Sequence, residues 1–174
     1  MAEPQRMNYC PQCGSLLTPR QIDGRERLAC PACAYIFWNT PVPVVAAIVE
    51  RAGHLLLARK QEWPPGHWAL IAGFPEAGET MEEAVLREVR EEIGLEGEVM
   101  GLVGVYSLPY RDQVFIVYRV RAEDGEIQVD QELEAVREVP PEGLGPVLQN
   151  LPPQAGAARA LRDWLRTHTN DQRR

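Results

Sequence analysis

Residues 73–95 read GFPEAGETMEEAVLREVREEIGL, and this stretch decides the reading of the whole chain. Thr80 stands at a predicted N-cap, and Glu83, three residues on, completes a capping box. Gly94 follows the last apolar residue, where a left-handed C-cap falls. A helix of about three to four turns is predicted between them. On it Val85, Leu86, Val89 and Ile93 share an arc of roughly 100°, and Glu88, Glu91 and Glu92 share the adjoining one. One side packs while its neighbour gathers carboxylates.

Glu88 lies one turn from both Glu91 and Glu92, and like charges at that spacing repel. A hard cation among them removes the repulsion. Oxygen-only ligands on a partly open face suit Mg2+ or Mn2+ shared with substrate phosphates. Arg87 can reach Glu83 one turn back, or fold toward Glu79 and hold the preceding loop against the helix. Gly73 and Gly78 give that loop backbone freedom beside the metal. The competing reading is a solvated charged helix.

The spacing G-x5-E-x7-R-E-U-x-E-E-x-G-U, with U aliphatic, is met without departure by Gly73, Glu79, Arg87, Glu88, Val89, Glu91, Glu92, Gly94 and Leu95. In this the chain resembles the Nudix hydrolases. The resemblance implies an α/β fold, an α/β/α sandwich around a mixed sheet. It implies hydrolysis, dependent on Mg2+ or Mn2+, of a diphosphate linkage in a nucleoside diphosphate derivative. Glu88, Glu91 and Glu92, helped by the Gly73 carbonyl, would hold the metal, and Glu79 and Arg87 would shape loop and helix. A glutamate would serve as general base, with Glu92 and Glu132 as candidates. Glu132 and Glu134 sit in DQELEAVREVP, and a solvated acidic loop is the competing reading there.

All four cysteines lie near the start, as Cys10-Pro-Gln-Cys13 and Cys30-Pro-Ala-Cys33. Two C-x2-C knuckles sixteen residues apart point to tetrahedral Zn2+. Disulfides are the alternative, disfavoured because the polar start MAEPQRMNY has no secretory pattern. The intervening residues suit a hairpin turning at Asp23-Gly24. Residues 1–39 are therefore read as a zinc ribbon and 40–174 as the Nudix domain. Stapling a segment too short to fold alone is the ribbon's expected role. Tyr35, Phe37 and Trp38 are read as junction packing, with purine stacking as the alternative.

A net charge of −7 gives no overall drive toward nucleic acid or anionic membrane, and Arg20, Arg25 and Arg27 are the ribbon's only basic hint. No apolar run approaches the roughly 18 residues of a membrane span. A cytoplasmic enzyme is expected, with a nucleotide substrate, no nucleic-acid or membrane partner, and a homodimer as an open option.

Strands are predicted at 42–50, 55–59, 98–107 and 113–121, with one more after Asp124-Gly125. Residues 140–153 read as loop, and 155–167 as a closing helix carrying Leu161, Trp164 and Leu165. Trp63, Tyr106 and Tyr110 are aromatics that packing or an adenine clamp would explain; His54, His67 and His168 have no partner at catalytic spacing.

The ribbon fused before the box resembles the branches related to NADH, FAD and ADP-ribose pyrophosphatases. AGFPEAGE at 72–79 resembles the dinucleotide-cleaving branches, and Pro109, fifteen residues past Gly94, lies near the place of the diagnostic proline of the ADP-ribose pyrophosphatases; of the NADH hallmark SQPWPFP only Ser107 and Pro109 are present. The implied substrates are ADP-ribose, FAD or NADH, with release of AMP. The alternatives are a nucleotide-sensing or ribbon adaptor without turnover, a nucleoside triphosphate pyrophosphohydrolase, and removal of NAD from RNA ends. The intact set of box carboxylates favours an enzyme.

Overall fold

The computed structural model describes residues 7–171. The first six residues of the expected ribbon and the last three of the expected Nudix domain lie outside the described residues. The chain divides into two compact units, Met1–Pro41 and Val42–Arg174.

In the first unit, β1 (Thr18–Ile22) and β2 (Arg25–Ala29) form the expected hairpin. Asp23 and Gly24 both take positive φ, 51° and 73°, as a two-residue turn matching strand twist requires. β3 (Ile36–Phe37) adds to β2. Its core holds Cys10, Leu17 and Cys30, flanked by Met7, Leu28, Tyr35 and Phe37. So few apolar groups give little independent stability, which leaves the four thiols as the staple.

The second unit contains β4 (Val42–Arg51), β5 (His54–Lys60), β6 (Ile71–Gly73) and α1 (Met81–Ile93). β7 (Gly97–Leu108), β8 (Gln113–Ala122), β9 (Leu133–Val139), α2 (Leu144–Asn150) and α3 (Gly156–Asp171) follow. The sheet runs β7-β8-β4-β5-β9, with β6 also paired to β4. β4 and β8 are parallel and the other pairs antiparallel, so the sheet is mixed. Alternation along β4 sends Ala46 and Ile48 to one face, against Leu144, Val147, Leu161 and Trp164. Val45, Ala47 and Val49 go to the other, against Ala84, Val85, Val89 and Ile93 of α1. Both faces are covered, which explains why β4 reads as an unbroken apolar run. The edge strand β7 shifts register at Val99/Gly101 and at Leu102/Gly104, which blunts an edge where Met100, Leu102 and Val105 are exposed.

The strand expected after Asp124-Gly125 begins only at Leu133, so Glu134 lies within β9 and Glu132 just ahead of it. The intervening amides serve α1 instead: Gln128 N–H donates to the Ile93 carbonyl at 3.0 Å and Asp130 N–H to that of Glu92 at 3.1 Å. They satisfy carbonyls left open at the helix end. Residues 140–153 contain a 3-10 turn, Pro141–Gly143, and α2, contrary to the loop reading. Pro146 is the third residue of α2, where no intrahelical N–H is needed. The closing helix extends past its predicted end, with Leu161 and Trp164 buried.

Candidate active site

The acidic helix is fixed at both ends before any ligand is considered. Thr80 Oγ1 accepts from Glu83 N–H at 3.2 Å, and Glu83 Oε2 accepts from Thr80 N–H at 2.8 Å. Gly94, at φ 71°, donates its N–H to the Arg90 carbonyl. Ala84, Val85, Val89 and Ile93 seat one face on the sheet, which sets the direction of Glu88, Glu91 and Glu92.

Because Glu83 is committed to the cap, Arg87 turns to the loop. Nε donates to Glu79 Oε1 at 2.7 Å and Nη2 to Glu79 Oε2 at 3.1 Å, a bidentate pair. Nη2 also donates to the Phe74 carbonyl at 3.0 Å, and Nη1 to Glu88 Oε1 and Glu91 Oε2, both at 2.9 Å. All five guanidinium donors are used, and one side chain ties loop 73–79 to the helix. The bonds from Arg87, with Glu76 N–H at 2.8 Å, hold the Glu79 carboxyl below the usual range.

Gly73, the last residue of β6, lies directly beneath Glu88. A Cβ built on it would stand 2.1 Å from the Glu88 carboxyl carbon, so only glycine lets this carboxylate lie against the strand. Gly73→Ala is expected to displace Glu88 and lower turnover about 100-fold while the fold persists, since an ångström of misplacement costs that much. Steady-state rates and circular dichroism of the variant check this; unaltered turnover would show that Glu88 need not lie there.

Glu92 is 6% exposed, and it makes no ion pair or side-chain hydrogen bond among the described residues. Burial pushes its carboxyl up to about 8, opposed by Lys60 and reinforced by Glu88, Asp130 and Glu132. Burial likewise raises Glu88, against the pull of Arg87. Lys60, at the end of β5, bonds Glu132 Oε2 at 2.8 Å. Burial opposes the Lys60 charge, but that bond and the charges of Glu92, Glu132 and Glu62 outweigh it and raise its pKa. The same bond lowers Glu132.

A buried carboxylate lacking a bonded partner, beside a second raised one and a glycine cradle, is a donor set suited to a hard divalent cation. The three box carboxylates do not converge as the structure stands. Glu88 and Glu91 share Arg87 Nη1, and Glu91, its side chain 56% exposed, has room to turn. Between pH 4.5 and about 8 folded Glu92 keeps a proton that the unfolded chain has lost. The metal-stripped protein should therefore lose stability as pH rises through that window. Mg2+ at 100 times its Kd should add about 2.7 kcal/mol. Thermal melts across pH, with and without Mg2+, measure both effects; a melting temperature indifferent to the cation would rule out a site here.

A cleft of about 350 Å3 opens beside these groups. Lys60 and Glu92 are among its charged lining residues, beside Gly73, and Trp63, Phe74, Tyr110 and Phe115 are among its aromatic ones. Arg111 and Gln113 add polar groups. Such a mixed lining suits a flat base together with phosphates.

In the ribbon, Cys10 Sγ lies 3.6 Å from Cys33 Sγ, and Cys13 Sγ lies 3.4 Å from Cys30 and 3.8 Å from Cys33. A tetrahedron with metal–sulfur bonds of about 2.3 Å has edges of about 3.8 Å. The thiols therefore fit zinc, and all four are free rather than disulfide-bonded. Among the described residues this is the group of three or more donors that gathers within 4.8 Å.

The NUDIX domain profile matches residues 40–165, and the zinc-ribbon Nudix N-terminal profile matches residues 8–39. The chain belongs to the Nudix family. It is 33% identical over 157 residues to the NAD-capped RNA hydrolase NudC of Pseudomonas aeruginosa, covering 89% of this chain and 54% of that protein. It is 46% identical over 79 residues to an ADP-ribose pyrophosphatase of Methanocaldococcus jannaschii, covering 45% of this chain and 47% of that one. A crystal structure of a NUDIX hydrolase from Nitrosomonas europaea superposes with a TM-score of 0.82 at 28% identity, covering 94% and 93%. The chain spans about half the length of the curated relatives it matches.

Within the Nudix box, the structure brings Glu79, Arg87, Glu88 and Glu91 into one bonded group with Gly73 close beneath Glu88, and Glu92 into the cleft with Lys60. Glu132 joins them through Lys60. Sequence reading missed Lys60, a charged end to an apolar strand that no periodicity marks. Tyr106 is buried and donates to Asp163 at 2.9 Å, so it packs rather than clamps. Trp63, Tyr110 and also His67 face the cleft. His168 stacks on Trp164. In the ribbon, Tyr35 and Phe37 flank the core while Trp38 is exposed. Among the described residues no helix is long and apolar enough to cross a membrane.

Proposed function

We propose that the chain hydrolyses the diphosphate linkage of a nucleoside diphosphate derivative of dinucleotide type, such as ADP-ribose, FAD or NADH, releasing AMP. The observation that carries this reading is the single cleft joining Glu92, Gly73 and Lys60 to aromatic walls. NAD caps and ADP-ribose, for which the two relatives are named, share an adenosine diphosphate joined to another group. Residues 40–174 would carry the chemistry and 1–39 the zinc staple, in a reducing, cytoplasmic setting suited to free thiolates.

In this reading Glu88, Glu91, Glu92 and the Gly73 carbonyl would hold Mg2+ or Mn2+. Such a cation neutralises phosphate oxygens and lowers the pKa of an attacking water. Water oxygen bonds to one phosphorus, the bridging P–O bond breaks, and two monophosphates leave. Glu92 or Glu132 takes the water's proton. Lys60, beside both, offsets charge on the departing phosphate. Arg87 positions Glu88 and Glu91 and holds the loop through Glu79. Trp63, Tyr110 and Phe115 stack the base and exclude water from it.

The test is AMP release by the zinc-loaded protein from ADP-ribose, FAD and NADH in parallel, with Mg2+ or Mn2+, resolved by chromatography. Turnover of at least one, abolished by chelating the cation, is expected. No AMP from any of them would reject the substrate class, and turnover confined to nucleoside triphosphates would replace it.

A further inference from the structure

The strand register of the ribbon puts three arginines on one face. Arg20 is paired directly with Arg27, and Ile22 with Arg25. Alternation along β1 and β2 therefore places Arg20, Arg25 and Arg27 on the same side of the hairpin. β3 continues that side through Ile36, opposite Ala29, and Trp38 follows two residues on. The other side carries Leu28 and Phe37, which pack toward the cysteines. Between residues 7 and 41 the only carboxylates are Asp23, in the turn, and Glu26, on the opposite pleat beside Gln21. Among the described residues none of the three arginines pairs with a carboxylate.

Like charges directly across a strand pair are destabilising, and a hairpin needing only to staple a fold gains nothing from them. Trp38 is 47% exposed, and the Arg27 guanidinium lies 4.7 Å from its ring centroid while Nη1 bonds the Trp38 carbonyl at 3.1 Å. That stack holds a flat surface in place at the edge of the basic face. Guanidiniums spaced along strands, ending on an aromatic plane, match a phosphodiester chain with an unpaired base. The acidic whole chain offers no general attraction for such a polymer, so the match is local.

We propose that this face of the ribbon, Arg20, Arg25, Arg27 and Trp38, binds single-stranded RNA, the arginines on phosphates and Trp38 under a base. RNA is the occupant because its loops and ends present unpaired bases that can stack on a ring, whereas duplex DNA keeps its bases stacked on one another. None of these four residues lines the diphosphate cleft, and binding needs no turnover.

The test uses the full, zinc-loaded chain without Mg2+ and a fluorescein-labelled, 5′-hydroxyl oligouridine of about twelve nucleotides, a length within single-strand site sizes. Anisotropy should show saturable binding that weakens about 20-fold between 50 and 200 mM salt, the slope of about −2 expected when three phosphates are neutralised on a single strand. Arg20→Gln with Arg25→Gln should cut the slope to about one third. Trp38→Ala should weaken binding at least about fivefold through lost stacking. Zinc content and AMP release from ADP-ribose should stay unchanged in both variants, because neither replaces a thiol or a residue lining the cleft. No saturable binding at 50 mM salt, an unaltered slope in the double variant, or tighter binding of duplex DNA would each overturn the proposal.

Discussion

Replacing Glu92 by glutamine is expected to lower kcat about a thousandfold or more without unfolding the protein, because it removes a ligand to the cation or the base itself. The stability readout separates this from damage. Ionised Glu92 is buried without a bonded partner, and its carboxyl is pushed up to about 8. The neutral amide escapes that penalty, so metal-free Glu92→Gln should melt no lower than the parent at pH 8, and its response to Mg2+ should shrink. Glu132→Gln discriminates between the two base candidates. If Glu132 only partners Lys60 on the exposed rim, its loss costs a few-fold; if it takes the proton, the cost is about 100-fold or more. A folded Glu92→Gln enzyme with full turnover would remove this residue from the chemistry.

The second large effect belongs to the ribbon. Cys30→Ser replaces a buried thiol whose Sγ stands 3.4 Å from that of Cys13. Structural zinc is worth about 10–16 kcal/mol of apparent binding energy in small domains, and folding of such domains is coupled to it. The variant should lose stoichiometric zinc and all amide-exchange protection in residues 8–39. The catalytic unit has its own two-sided core, so AMP release should fall no more than a few-fold. Exchange mass spectrometry with metal analysis reads both; a protected ribbon in the zinc-free variant would mean that its apolar core suffices alone.

What could be read from sequence was whatever is encoded locally. The capping box, the glycine end of α1 and the Asp23-Gly24 turn each lie within a few residues, and each has a backbone reason. The thiol cluster was legible because knuckle spacing constrains sulfur positions. Contacts decided by distant chain were not. The unpaired run before β9 follows from carbonyls at the end of α1, which only the folded chain brings near. α2 was hidden because proline and glycine read as breakers unless their place in the first turn is known. Arg87 had two plausible partners, Glu83 one turn back and Glu79 in the preceding loop, and the cap's claim on Glu83 chose between them. Lys60 gained significance only when β9 brought Glu132 to it.

The parallel pairing of β4 with β8 sets the order in which the molecule can assemble. It aligns Val45 with Ile116, and closing a loop of about seventy residues costs on the order of 4 kcal/mol before any ladder bond repays it. A helix whose cap bonds are local would, if it forms before this pairing, shorten the span that must be searched. On that expectation the cap residues of the acidic helix would also act on the rate of folding. A weakened cap should be felt in the refolding rate as well as in turnover, which couples the enzyme's rate of appearance to the same few side chains as its rate of work.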